Sequence, residues 1–194
     1  MTLLALLRHG PTAANRERRL QGHLDFSLDP AGRVEVGSWR LPEFARAITW
    51  RRSPLRRCAE TAGLLGLQAE PEPRLIEMDW GAWEGQLIAT LRAEDSRFLV
   101  EESRGLDLSP PGGESPREIQ QRLLDLFREL AEIGGDFGGV SHKGVIRTTL
   151  SLATGWDMRG RAPIRLQWNA LHLFRLDRTG RPSVERLNWN LGPG

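Results

Sequence analysis

Leu3 to Leu7 reads LLALL, five apolar residues in a row, and it runs straight into Arg8, His9, Gly10 and Pro11. A strand with one face in water alternates apolar and polar side chains. A run that is apolar at every position needs cover on both faces, as in the middle of a parallel sheet sandwiched between helices. Such a strand carries a cation and an imidazole to a tight turn, where in open α/β sheets ligands sit.

Strand and helix signals alternate along the rest of the chain. Asp29-Pro30 is an N-cap followed by proline at the first helical position, which opens a helix. AITWRRS reads as a second strand, and Ser53-Pro54 repeats the cap-then-proline signal for a helix to about Gly66. AEPEPRLIEM is extended and leads to Glu77. Ser115-Pro116-Arg117-Glu118 is a capping box that starts a helix through Ile133. DFGGVSH is a strand followed at once by the helix GVIRTTLSLATG, closed by Gly155; LQWNALHLFRL and SVERLNW are two further strands. The expected fold is α/β, a three-layer sandwich with a mostly parallel central sheet and helices on both faces. Residues 81–113 pattern weakly, with an amphipathic stretch near Leu87 to Leu99, and read as a small lid insertion at one end of the sheet. The whole of 1–194 reads as one domain.

The chain length of 194 residues suits one such domain, and 39% hydrophobic residues suffice for a sizeable core. The single cysteine, Cys58, permits no internal disulfide, which fits a reducing, cytoplasmic setting. The first apolar run is too short for a membrane helix and lacks the flanks of a signal peptide. A formal net charge of +2 and only short arginine clusters speak against nucleic acid as a partner. Lys143 is the only lysine.

Cations collect at three strand ends: Arg8-His9, Arg56-Arg57 and His142-Lys143. Helix N-termini prefer acidic side chains in the first turn, yet two of these ends run into helices with arginine or lysine there. An anion bound between them removes the conflict, because helix N-termini, guanidinium forks and imidazoles together suit phosphate. A single first-turn arginine or strand-end histidine is usually structural. Three ends of one sign carry the argument, provided the strands are neighbours.

LLRHGPTAAN, SPLRRCAETA, LIEMDWGAWEG and VSHKGVIR occur in the order seen in the histidine phosphatase superfamily, phosphoglycerate-mutase-like branch, and the chain resembles that family from Leu3 to about Asn190. The resemblance implies a metal-independent, cofactor-free phosphomonoesterase acting through phosphohistidine on a small phosphorylated metabolite. A mutase is the alternative, and a non-catalytic phospholigand-binding module a more distant one. It makes His9 the nucleophile, Glu77 the proton donor, and Arg8, Arg57, Asn15 and His142 (in protonated form a further cation) the phosphate-holding groups. Gly10, Gln21, Gly22 and Lys143 join the phosphate- and substrate-binding set. Arg56 is expected at the surface, and Glu114 is the competing acid. Position 143 departs from the pattern, since many members have glycine after the second histidine. The expected assembly is a monomer or homodimer.

Other phosphate and nucleophile motifs fail in detail. Leu64, not arginine, stands six residues after Cys58; the last position of the elbow-like GVSHK is Lys143 instead of glycine; and no glycine precedes that lysine as a Walker loop requires. His9, His23, His142 and His172 lack zinc-type spacing. His23 and His172 are expected at the pocket rim or packed on strands, and Trp80 and Trp83 in the core.

Overall fold

The computed structural model describes residues 1–192. In chain order the elements are β1 (Thr2–Arg8), α1 (Ala13–Arg16), α2 (Pro30–Ser38), α3 (Glu43–Ala47), β2 (Thr49–Arg52), α4 (Arg56–Leu64), β3 (Ala69–Pro71), α5 (Ile88–Glu94), α6 (Ser96–Glu102), α7 (Pro116–Ile133), β4 (Phe137–Ser141), α8 (Lys143–Thr154), β5 (Ala170–Leu176) and β6 (Pro182–Asn190). The strands form one sheet in the order β3-β2-β4-β1-β5-β6. Neighbours from β3 to β1 run parallel, while β5 and β6 are antiparallel. This is the expected mixed, mostly parallel α/β sheet.

The register decides where the cations meet. Arg8 of β1 lies opposite Ser141 of β4, and Val140 of β4 lies opposite Arg52 of β2. The hydrogen bonds continue one residue past the strands, from His9 N to Ser141 O at 2.9 Å and from Ser53 N to Val140 O at 2.9 Å. Three adjacent parallel strands therefore end at one level. The antiparallel β5 begins at that same edge, with Leu171 opposite Leu7, and brings Trp168 there.

β1 is buried on both faces as its composition requires. Leu3, Ala5 and Leu7 pack with Val36 of α2, Ala45 of α3 and Cys58 and Ala62 of α4. Leu4 and Leu6 pack on the other side with Ile119, Leu123, Leu126 and Phe127 of α7 and with Val145 and Ile146 of α8. Each fully buried leucine or phenylalanine contributes about 1.5–3 kcal/mol, so the two faces together fix the central strand. A smaller third cluster joins Leu20 to Trp83, Leu91 and Phe98. No helix among the described residues is long and apolar enough to cross a membrane.

The expected caps at Asp29 and Ser115 hold, each accepting from the third helical N–H. Ser53 does not cap α4. That helix begins at Arg56 after Leu55, with no side-chain cap; Ser53 Oγ, two residues short of the N-cap, accepts from Leu55 N at 3.3 Å and lies 2.8 Å from His142 Nε2. The amphipathic stretch from Leu87 to Leu99 holds α5 and the first turn of α6. Asp95 ends α5 and caps α6, accepting from Phe98 N at 3.1 Å and from Trp83 Nε1 at 2.9 Å. The strand expected over LQWNALHLFRL starts only at Ala170; the preceding residues bend across the end of the sheet.

His172 is fully buried on β5 and hydrogen-bonded at both ring nitrogens, Nε2 to the Gln167 carbonyl at 3.0 Å and Nδ1 to Asn188 N at 3.4 Å. Burial pushes its pKa down to about 4 against the raising effect of the Gln167 bond. A histidine kept neutral in the fold stabilises fully above its unfolded pKa near 6.5 and loses that contribution as pH falls through about 4. The difference in unfolding free energy between the wild type and His172→Gln is therefore expected to shrink by about 3 kcal/mol from pH 7 to pH 4. Denaturant titrations at several pH values measure it, and a constant difference contradicts the neutral imidazole.

Candidate active site

His9 leaves β1 into a turn held from two sides. Gly10 N donates to Thr61 Oγ1 at 2.9 Å, and Thr61 in turn donates to the Arg57 carbonyl at 2.7 Å. A Cβ on Gly10 would overlap Val36 Cγ2, so only glycine lets the turn lie against α2. The His9 ring is buried, with Nδ1 at 2.7 Å from the Gly10 carbonyl. A carbonyl only accepts, so Nδ1 carries the proton and Nε2 keeps its lone pair. Burial, then the Arg8 and Arg57 charges, lower the His9 pKa well below the usual imidazole value. The imidazole is a neutral base aimed by its own main chain.

Arg57, in the first turn of α4, is 0% exposed. Its Nη1 donates to Leu24 O and its Nη2 to Gly22 O, both at 2.8 Å, and its Nε donates to His142 Nδ1 at 3.4 Å. That accounts for three of the five guanidinium N–H bonds, leaving two for another acceptor. Arg8 is half-buried, and its Nε has no hydrogen-bond partner among the described residues. Burial lowers both arginine pKa values. The ion pairs among the described residues include neither Arg8 nor Arg57. Two desolvated cations without a carboxylate make a strongly positive pocket, which a bound anion would compensate.

His142 faces His9 with ring centroids 5.1 Å apart. It accepts at Nδ1 from Arg57, so its Nε2 carries the proton toward Ser53 Oγ at 2.8 Å. Burial, then Arg57, His9 and Arg8, push its pKa well below 6.5. Of the two protonation states open to His142 from the sequence, these surroundings favour the neutral one in the free protein. Cys58 Sγ lies 3.5 Å from the same ring. Its thiol is pushed up to about 12, by burial above all and against the lowering charge of Arg57, so the cysteine is chemically quiet.

Glu77 reaches the pocket from the far side. Its carboxylate accepts from Met78 N at 2.9 Å and from Gly144 N at 3.1 Å, in the first turn of α8. A Cβ on Gly144 would overlap Glu77 Oε1. Position 144 therefore has room only for glycine, whatever residue stands at 143. Glu114 is not a competing acid, because both its oxygens pair with Arg122 at 2.7 and 3.0 Å. Arg122 also donates to the Arg74 and Ile76 carbonyls and so braces the segment that carries Glu77. His23 sits at the rim, its Nε2 2.9 Å from the Glu77 carbonyl.

The remaining assignments divide. Asn15 and Gln21 turn their carboxamide oxygens toward Thr12, whose Oγ1 lies 3.1 and 2.9 Å from them, so their amide nitrogens are the ends left for a ligand. Gly22 takes part through its carbonyl, which accepts from Arg57. Arg56 is exposed as expected. Lys143 is exposed at the mouth, its Nζ 5.7 Å from the Trp168 ring centroid, with Arg8 Cζ 5.3 Å from the same centroid. The structure brings Arg8, His9, Arg57, Glu77 and His142 together. It adds Ser53, Thr61, Arg122, Gly144 and Trp168, which sequence reasoning missed. Ser53 and Thr61 had a signal: one stands at the end of the second strand, the other one helical turn beyond Arg57. Among the described residues no group of three or more His, Cys, Asp or Glu is placed to hold a metal ion.

A family description, the histidine phosphatase superfamily (branch 1), matches residues 4–190. Glucosyl-3-phosphoglycerate phosphatase of Mycobacterium tuberculosis is 30% identical over 202 residues, covering 98% of this chain and 87% of that protein. Phosphoglycerate mutase-like protein 4 of Arabidopsis thaliana is 27% identical, covering 90% of this chain and 81% of that one. A bifunctional protein of Mycobacterium tuberculosis is 32% identical over 131 residues, and the match spans only 35% of its length. Among solved structures, a protein of Thermus thermophilus designated TTHB049 superposes with a TM-score of 0.77 at 28% identity, over 97% of this chain and 99% of that one. The match over nearly the whole length, on the strand ends that build the pocket, makes the chain a member of the histidine phosphatase superfamily, branch 1.

Proposed function

We propose that the protein is a metal-independent phosphomonoesterase that transfers the phosphoryl group first to His9 and then to water. One observation carries the reading: a buried, neutral imidazole, its tautomer set by the Gly10 carbonyl, lies among two guanidinium groups that have no carboxylate partner. His9 Nε2 attacks phosphorus, an N–P bond forms, and the ester P–O bond breaks. Arg8, Arg57 and the Asn15 amide take the non-bridging oxygens, whose charge otherwise repels the nucleophile. Each such charge-assisted bond is worth about 1.5–3 kcal/mol. His142, neutral in the free protein, donates from a ring nitrogen once phosphate draws it from its present partner.

Glu77 gives its proton to the leaving oxygen and later accepts one from the water that cleaves phosphohistidine. Its hydrogen bonds to Gly144 and Met78 hold the carboxyl across the pocket from His9. Residues 81–113 act as a lid of two short helices on the third apolar cluster. The relative named a phosphatase, 30% identical over 98% of this chain, supports hydrolysis. The relative named mutase-like favours a second reading, in which the phosphoryl group returns to substrate. A mutase must exclude water from the phosphoenzyme, which two short helices do poorly. Phosphate release against 2- and 3-phosphoglycerate interconversion separates the two, and rapid interconversion with little release reverses the order.

His9→Ala is expected to lose at least about 1,000-fold in kcat and to take up no acid-labile phosphate in a quenched single turnover. An unchanged rate removes the nucleophile assignment. Glu77→Gln is expected to lower kcat/KM about 100- to 10,000-fold on an alkyl phosphate and far less on p-nitrophenyl phosphate, whose leaving group needs no proton. Equal losses on both esters contradict the acid role. The buried His9 stays unprotonated below pH 6.5, so kcat/KM on p-nitrophenyl phosphate, corrected for the ester's own ionisation, should hold through pH 6. A loss centred at 6.5 or above refutes the depressed imidazole.

A further inference from the structure

We propose that Lys143, over the indole of Trp168, and Arg147, one helical turn further on, form a second anion subsite beside the phosphoryl pocket, so that the preferred substrate is a phosphomonoester bearing another anionic group a few bonds from phosphorus. The proposal rests on the phosphoryl reading above and deepens it. Lys143 and Arg147 stand one turn apart at the start of α8, where the first turn holds no acidic residue. Like charges four apart repel on a helix, and cations at its N-terminus oppose the dipole. Neither residue takes part in an ion pair among the described residues. The fold therefore keeps three unfavourable electrostatic choices at one place, and an anion relieves all of them.

The geometry places that anion. Lys143 follows His142 directly in the chain, and its Nζ shares the Trp168 ring with Arg8 at 5.7 and 5.3 Å from the centroid. One indole thus joins the cation inside the phosphoryl pocket to the cation at its mouth. Arg147 is half-buried and stacks on Trp156 with Cζ 4.8 Å from the centroid, which holds the second charge close to the first. The groups facing Lys143 are Arg147, Arg8, Glu77 and Arg92. Arg92 is paired with Glu102, which leaves the single carboxylate of Glu77 against the cations of Lys143, Arg147 and Arg8. The balance is positive. A hollow lined by Arg165, Leu166, Gln167, Trp168 and Asn169 adjoins the same indole and gives the rest of such a substrate room. Trp168 itself is positioned by His172 behind it, with the rings edge to face at 6.4 Å.

The test compares 3-phosphoglycerate with glycerol 3-phosphate, which differ by a carboxylate against a hydroxymethyl group. The wild type should prefer the carboxylate ester in kcat/KM. Lys143→Met should reduce that preference about 10- to 100-fold, as expected for one charge-assisted bond, Arg147→Gln should reduce it less, and Lys143→Arg should retain most of it. Equal losses on both esters, or a wild type without preference, overturn the subsite. A second arm needs no turnover: phosphonoacetate and methylphosphonate binding by calorimetry, with melting curves showing that each variant is folded. Tighter binding of phosphonoacetate by the wild type and not by Lys143→Met upholds the subsite; equal binding overturns it. If the wild type hydrolyses no ester yet discriminates between the phosphonates, the phosphatase reading falls and the subsite stands.

Discussion

The buried guanidinium of Arg57 is the constraint on which the rest of this structure turns. A charge with no exposed surface is ordinarily matched by a carboxylate, because taking an unpaired ion out of water costs several kcal/mol. Here the chain spends two main-chain carbonyls and an imidazole on it instead. Carbonyl dipoles hold the group in place without cancelling its charge, so its field remains available to a ligand. The same bonds pin the loop from Gly22 to Leu24 against α4 and set the tautomer of His142. A carboxylate in their place would stabilise the free protein and close the pocket to anions.

That field also explains why both imidazoles are neutral. His9 and His142 lie in a desolvated region beside two cations, and every one of those influences disfavours imidazolium. Neutrality is what a nucleophile needs, and the Gly10 carbonyl then decides which nitrogen is free. The apolar packing on both faces of β1 bears the energetic burden. Native stability is a small remainder, about 5–15 kcal/mol in total, so a pocket holding two unpaired cations survives only inside a well-filled core.

Much of the fold and the residues that meet in the candidate site could be read from the sequence alone, for physical reasons. LLALL demands cover on both faces, and the observed alternation of Leu3, Ala5 and Leu7 against Leu4 and Leu6 answers it. Asp29-Pro30 and Ser115-Pro116 are local signals, satisfied within one turn. What escaped depended on partners distant in sequence. Ser53 carries a cap signal, but the helix starts after Leu55, and its hydroxyl meets an imidazole 89 residues away that no local pattern announces. The protonation of His142 depends on burial and on the field of Arg57, which no local pattern contains. Trp168 lay within an expected strand; only the antiparallel placement of β5 shows that it meets Arg8. Asp95 splits the expected Leu87–Leu99 stretch because one carboxylate serves both a helix cap and the Trp83 indole.

The turn after β4 meets two demands that a single residue cannot. Glu77 must approach the main chain closely, which excludes any side chain at Gly144. Successive residues on a helix point about 100° apart, so the side chain at 143 projects away from that contact toward the mouth and Trp168. Position 144 is therefore tied to the chemistry, while position 143 can change without disturbing the carboxylate. A glycine at 143 would remove one of the cations at the mouth; lysine supplies it without touching the contact between Glu77 and Gly144. On the subsite proposed above, the side chain at 143 alters what this pocket recognises while the contact between Glu77 and Gly144 is kept.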